Sequence, residues 1–294
     1  MFRASSAGTL NLATAVPVSG SYHTADAAGL LWSLHTAFTT SPDTPFVASL
    51  TGFAAKLYTP ATVKAGAPAV VVIGGYPGDE DIPVAQGLAL SGYPALAVGY
   101  FNLPGLPKCQ CATPLEYFAR AVNWLRAQPA GRGRRVVLYG GSDGTQAALL
   151  TASYLPHLVD AVVASSPTDV VHGAFGSAGN DVGWTFGGKP LAVGSLIPVT
   201  KIRVPLLLGD GGQDPAWNSA GSASTIVSEL DRSAGHPPVT NLYYPSAGHY
   251  YYGMLPYFPL FTNAGDGGTV QANALATEQF WTRMISFLNQ VPAR

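Results

Sequence analysis

Four strand-type runs in this chain end on residues that could do chemistry. In RVVLYGGSDGTQAALL, Arg135 to Leu150, a β-type run to Tyr139 meets Gly140-Gly141-Ser142-Asp143-Gly144, and helix-type residues follow from Gln146. This is the one G-x-S-x-G match in the chain. A nucleophilic serine on a tight strand-to-helix turn needs small residues on both sides, because its backbone is strained and packs close to its neighbours. The competing interpretation is a glycine-rich dinucleotide-binding turn, but no G-x-G-x-x-G accompanies it. Ser142 is therefore the candidate nucleophile.

A serine hydroxyl attacks only when a neighbouring imidazole can take its proton. YPSAGHYYYG places His249 just after a strand-type run. His23, His35, His157, His172 and His236 compete. Only His249 and His236 follow the acid candidates, and His236 precedes its strand. GDGGQDPAWNSA puts Asp210 and Asp214 at the end of another apolar run, and position leaves the choice between them open. A carboxylate there would fix the tautomer of the imidazole and stabilise its cation. In GGYPGDED, Gly74 to Asp81, glycines let backbone N–H groups approach a developing oxyanion. Pro77 has no N–H, so the expected donors are the amides of Tyr76 and of Asp143.

These residues need strands to carry them. PAVVVIGG, YPALAVGYF, RVVLYGG, VDAVVASS and VPLLLGD are apolar throughout rather than alternating, and VTNLYYP follows. Helix-type stretches fall between them: Ile82 to Gly92, Thr113 to Gln128, Asp143 to Leu155, Ala220 to Arg232, and 272 to 290. In the second, Thr113 is the expected cap, Pro114 the first turn and Glu116 the capping-box partner. Its expected apolar stripe is Leu115, Phe118, Ala119, Val122 and Leu125. Uniformly apolar strands alternating with helices predict an α/β fold, a mostly parallel sheet covered on both faces. Ligands in such sheets bind at the carboxyl ends of the strands, where all four candidates lie. Residues 167–203 are expected to be irregular and to cover a pocket. Residues 1–60, rich in Ser, Thr, Ala and Gly, are expected to be a partial N-terminal β segment and linker, with a short strand at Phe46 to Leu50. Residues 61–294 are expected to form the catalytic domain.

The chain has 294 residues, 47% hydrophobic and 11% charged, enough to bury a large core. A net charge of −1 offers no basic surface for nucleic acid. No apolar run is long enough for a membrane span, and the first residues lack the apolar core of a signal peptide. A soluble cytoplasmic protein is expected. Cys109 and Cys111 are expected to be free thiols, since C-x-C spacing is poor for a bridge or a zinc site. No metal and no cofactor is expected.

The motifs together resemble the acyl-CoA thioesterase / bile-acid-CoA:amino-acid N-acyltransferase family. LAVGYFNLPGLP, then PLEYFARAVNWL, then the G-x-S elbow look like its C-terminal α/β-hydrolase domain. DPAWNS is similar to its acid loop and YPSAGHYYYGMLPYFP to its histidine loop, so the resemblance covers roughly residues 66–290. It implies a triad of Ser142, Asp214 and His249, choosing Asp214, with Trp217 three positions on, over Asp210. Residues 1–36 look like the second half of the family's N-terminal β-sandwich, whose first half has no counterpart here. A half sandwich exposes strand edges, which leaves homo-oligomerisation open. The family elbow commonly carries Lys where this chain has Asp143. The acidic run Asp79, Glu80 and Asp81 is also unexpected for a phosphate-bearing substrate; Lys108 and Lys189 are loop cations available to it.

The expected function is hydrolysis of acyl thioesters of the acyl-CoA type through an acyl-enzyme intermediate. Serine at position 142 favours water as acceptor, because the amino-acid-transferring members typically carry Cys. The alternatives are a carboxylesterase or dienelactone-hydrolase-like enzyme on oxygen esters, an acyl-CoA:amino-acid N-acyltransferase, and a catalytically dead hydrolase-shaped binding protein. The expected partner is a small-molecule thioester or ester.

Overall fold

The structure, a computed structural model of the chain, describes residues 53–103, 106–175, 182–249 and 267–292, together with the backbone of 38–40. The expected strand at 46–50, the sandwich half at 1–36, and the aromatic-proline segment after His249 lie outside the described residues.

The expected α/β architecture, a mostly parallel sheet with helices on both faces, is present. Eight strands make the main sheet: β1 (Phe38–Thr40), β2 (Ala54–Pro60), β3 (Ala69–Ile73), β4 (Ala95–Gly99), β6 (Val136–Gly141), β7 (Ala161–Ser165), β10 (Leu206–Gly211) and β11 (Val239–Tyr244). Their spatial order is β1-β2-β4-β3-β6-β7-β10-β11. β2 runs antiparallel to both of its neighbours, and every pairing from β4 to β11 is parallel. Parallel neighbours need crossovers, and helices supply them.

The apolar strands serve two cores. Val71, Ile73, Leu96, Val98 and Leu138 point to the face covered by α2 (Leu115–Ala127), α3 (Gly144–Tyr154) and α4 (Ser219–Asp231). Val70, Val72, Ala95, Ala97, Val137 and Tyr139 point to the face covered by α1 (Ile82–Leu90) and α5 (Val270–Gln290). Side chains alternate across a strand, so a strand with a core on each side has no polar position to spare. At the edge, β11 is half exposed.

The start of α2 differs from the expectation. Thr113–Pro114 form a two-residue strand, β5, paired with β8 (Trp184–Phe186), which pairs in turn with β9 (Lys189–Pro190). The helix begins at Leu115 with no side-chain cap. The Thr113 N–H goes to the carbonyl of Gly183, and Glu116 Oε1 accepts the N–H of Gly187 at 2.7 Å. Residues of a strap across the helix have taken the groups a capping box would use. The buried stripe includes Tyr117 and Ala121, while Ala119 is only partly buried. Cys109 and Cys111 are joined by a disulfide, not free. The backbone bends there, leaving the Cα atoms 5.2 Å apart, within bridging range.

Candidate active site

Ser142 sits on the turn between β6 and α3 with φ of +52°, a left-handed conformation rare for a side-chain-bearing residue. Close packing holds it there. A Cβ on Gly140 would collide with the carbonyl of Gly144, and one on Gly144 with the carbonyls of Ile73 and Gly74. The glycines of G-x-S-x-G are required because backbone crosses backbone at both positions. The Ser142 N–H is tied to the carbonyl of Ser165 at the end of β7.

The side chains chosen from sequence meet. Ser142 Oγ lies 2.7 Å from Nε2 of His249. Nδ1 of the same ring lies 2.8 Å from Oδ2 of Asp214. The side chains of His249 and Asp214 are both about 1% exposed. Burial pushes the Asp214 carboxyl up. The hydrogen bond and charge of His249, the Ser219 side chain and the Trp217 N–H outweigh this and hold it below the usual carboxylate range. Its other oxygen, Oδ1, accepts the N–H groups of Ala216 and Trp217 at 2.9 and 3.3 Å. Asp214 is thus fixed as an ionised acceptor. Asp210, the alternative acid, is buried at the end of β10 and makes no hydrogen bond to the imidazole.

The histidine loop is clamped from three elements. The carbonyl of His249 accepts Ser166 Oγ–H at 2.8 Å, and Gly248 N–H donates to Asn273 Oδ1 of α5 at 2.7 Å. The Trp217 ring stands edge-on to the imidazole, centroids 4.9 Å apart, and its Nε1–H donates to the Ser166 carbonyl. Sequence reasoning named Trp217 only as a motif residue and did not find Ser166 or Asn273. His172, a competitor for the base role, packs against Trp217 with centroids 5.2 Å apart; burial lowers its pKa against the pull of Asp169.

The loop after β3 comes close to the elbow. A Cβ on Gly75 would lie 2.7 Å from Cβ of Ser142. Tyr76 follows Gly75 and is joined to Pro77 by a cis peptide bond. Among the described residues, no carbonyl takes the amide of Tyr76 or of Asp143. The Asp143 side chain does not turn toward Ser142 Oγ. It is 1% exposed, its Oδ2 is 3.0 Å from the Tyr100 hydroxyl, and its Oδ1 accepts Gln146 Nε2–H at 2.6 Å. Burial raises its pKa to about 7, against the smaller opposing effect of those two partners. Asp79 is exposed, and burial lifts Asp81 to about 7. Lys108 and Lys189 are exposed.

Among the described residues, no cluster of three His, Cys, Asp or Glu side chains could hold a metal ion, and no helix is long and apolar enough to cross a membrane.

Comparison with known proteins bears on what this arrangement is for. The family described as BAAT / Acyl-CoA thioester hydrolase C terminal matches residues 113–178 and 188–293. The Acyl-CoA thioester hydrolase/BAAT N-terminal region matches residues 1–59. The mitochondrial acyl-coenzyme A thioesterase 2 of Mus musculus is 26% identical over 365 aligned positions, spanning 98% of this chain and 78% of that protein. Acyl-coenzyme A thioesterase 1 of Homo sapiens is 29% identical over 234 positions, and there the chain spans 55% of the relative's length. The peroxisomal succinyl-coenzyme A thioesterase of Mus musculus is 25% identical over 237 positions, with 68% of this chain and 54% of that protein covered. Among solved structures, a dienelactone hydrolase-like promiscuous phosphotriesterase from metagenomic libraries superposes with a TM-score of 0.58 at 17% identity, covering 87% of this chain and 99% of that one. An α/β-hydrolase enzyme from a deep-sea metagenome gives 0.57 at 15% identity, covering 87% and 98%. These two likenesses concern the fold.

Proposed function

The chain belongs to the acyl-CoA thioester hydrolase / BAAT family, and from that premise we propose that it is a serine hydrolase of acyl thioesters of the acyl-CoA type, working through Ser142, His249 and Asp214. The observation that carries this reading is the continuous hydrogen-bonded line from Ser142 Oγ through both ring nitrogens of His249 to Asp214.

Nε2 of His249 takes the proton of Ser142 as Oγ attacks the thioester carbonyl carbon. The carbonyl oxygen becomes an oxyanion facing the amides of Tyr76 and Asp143, each such donor being worth about 3 kcal/mol in the barrier. The carbon–sulfur bond breaks, His249 protonates the leaving thiolate, and an acyl ester remains on Ser142. His249 then takes a proton from water. The hydroxide attacks the ester carbonyl, the acid leaves, and the proton returns to Ser142. Asp214, ionised throughout, holds the ring and stabilises its cation. No step needs a metal or an organic cofactor.

An oxygen ester is the second reading, and exposed Asp79 beside the oxyanion loop favours it, because a carboxylate there repels the phosphates of coenzyme A. The test is labelling of the purified protein with a fluorophosphonate probe, then hydrolysis of an acyl-CoA chain-length panel and matched p-nitrophenyl esters. Labelling of Ser142 and loss of hydrolysis in Ser142→Ala are expected. A Ser142→Ala protein as active as wild type on both substrate sets would overturn the reading. Faster turnover of the esters than of the matched thioesters would favour the second.

A further inference from the structure

The residue after the nucleophile is buried and ionisable, and the chemistry above uses only its backbone. Its surroundings contain one hydroxyl with two acceptors. Tyr100 Oη is 3.0 Å from Asp143 Oδ2 and 3.2 Å from the carbonyl oxygen of Gly74. A phenol has a single proton to donate. With Asp143 ionised, the carboxylate and the Gly74 carbonyl compete for it. With the proton on Oδ2, both contacts become hydrogen bonds: Asp143 O–H donates to Tyr100 Oη, and Tyr100 O–H donates to Gly74 C=O.

The other end of the carboxyl fits the same direction. Gln146 Nε2–H donates to Oδ1 at 2.6 Å. Gln146 Oε1 accepts the backbone N–H of His172 at 2.7 Å and the indole N–H of Trp184 at 3.1 Å. A neutral acid leaves Asp143, Tyr100, Gln146 and the Gly74 carbonyl each with a partner, which is what a buried network requires.

We propose that Asp143 is a positioning residue that acts as a neutral acid, donating its proton to Tyr100 so that Tyr100 locks the Gly74 carbonyl. The lock joins the nucleophile elbow to the loop that presents the Tyr76 amide. The inference rests on the reading of Ser142 as nucleophile with the Tyr76 and Asp143 amides as oxyanion donors. Gly74 lies two residues before Tyr76, so the hydroxyl that fixes its carbonyl fixes the peptide planes leading to that amide. The two halves of the oxyanion site come from different strands, β3 and β6, and this chain bridges them.

Loss of the Asp143 proton would draw the Tyr100 proton to the carboxylate, release Gly74, and place a negative charge one residue from the developing oxyanion. Among the described residues, the other titratable groups facing this region are Asp81, packed against Gly74, His172, whose N–H sits on Gln146, and His249 beyond Ser142. Asp79 and Glu80 lie on the same loop as Asp81. Among the described residues, no cation acts on Asp143 to hold it ionised.

The experiment measures kcat and KM against pH for wild type, Asp143→Asn and Tyr100→Phe on one acyl substrate, with fluorophosphonate labelling of Ser142 in parallel. A carboxamide donates to Tyr100 and accepts from Gln146 but does not ionise. Wild-type kcat is expected to fall about tenfold between about pH 7 and about pH 9, and Asp143→Asn to lose that fall. Tyr100→Phe, which cuts the lock, is expected to lower kcat about tenfold with KM little changed, the effect of one misplaced donor. The carbonyl stretch of a buried protonated carboxyl should appear in the infrared difference between wild type and Asp143→Asn below about pH 7. Identical alkaline limbs in wild type and Asp143→Asn, with Ser142 labelled in both, would overturn this inference and leave the triad standing. A Tyr100→Phe enzyme with wild-type kcat would overturn it equally, without recourse to the Asn variant. An unlabelled Ser142 in wild type would instead sink the triad reading, and this inference with it.

Discussion

Asp214 Oδ2 lies 2.8 Å from Nδ1 of His249, while Asp210, four positions earlier on the same strand end, makes no hydrogen bond to the ring. Both carboxyls reach the carboxyl edge of the sheet, but only Asp214 has its second oxygen filled by backbone N–H groups and its pKa held low by the imidazole. Asp214→Asn is therefore expected to lower kcat by about 10,000-fold, the cost of offering the imidazole the wrong tautomer. Asp210→Asn should leave kcat close to wild type. Steady-state kinetics of the two variants decides it. Equal losses would place the acid elsewhere.

How much of this was legible in the chain follows from what each residue depends on. The elbow was legible because its requirements are local: two glycines, one serine, a strand before and a helix after. His249 was found by its order along the chain, and Asp214 only by family resemblance, since strand position gives Asp210 the same standing. The strands of the parallel core were visible because both faces are covered and their residues are apolar up to the carboxyl ends. What sequence could not show were contacts between distant segments. Ser166 holding the His249 carbonyl, Asn273 holding Gly248, and Tyr100 meeting Asp143 join residues 25 to 83 positions apart. Thr113 and Glu116 had the spacing of a capping box, but Gly183 and Gly187 came across from another segment and took their partners. The Asp143 carboxyl, where the family commonly carries Lys, is turned aside from Ser142 Oγ by Tyr100 and Gln146, contacts no local motif announces.

The packing at Gly144 makes a separate prediction. A methyl group there would run into the Ile73 and Gly74 carbonyls, which belong to the end of β3 and to the loop that follows it. Backbone cannot rotate out of the way as a flexible side chain can. Gly144→Ala is expected to destabilise the fold by about 1–3 kcal/mol and to lower kcat as well, because relief of the clash pushes the elbow away from the loop. Denaturant midpoints together with kcat test this. An alanine variant with wild-type midpoint and rate would show that the close approach is not what fixes the glycine.

Asp210 carries a stability cost that depends on pH. Burial raises its pKa from 3.8 to about 6, against a smaller opposing pull from the Asn241 side chain. The folded state then keeps a proton that the unfolded chain releases, so between these two values the native state binds more protons. Stability falls with rising pH wherever that is so. The favourable contribution is complete below the unfolded value of 3.8 and is lost as pH rises through about 6. Asparagine has no charge to bury, so Asp210→Asn should gain on wild type as pH rises, by about 1–2 kcal/mol after allowance for partial solvation of the carboxyl. The other acids raised in this way, Asp81 and Asp143, are common to both proteins and cancel in the comparison. Urea unfolding of wild type and Asp210→Asn at about pH 4.5 and about pH 8 measures the effect. A difference between the two proteins that stays constant across that range, or shrinks as pH rises, would show that Asp210 is ionised in the fold at no cost.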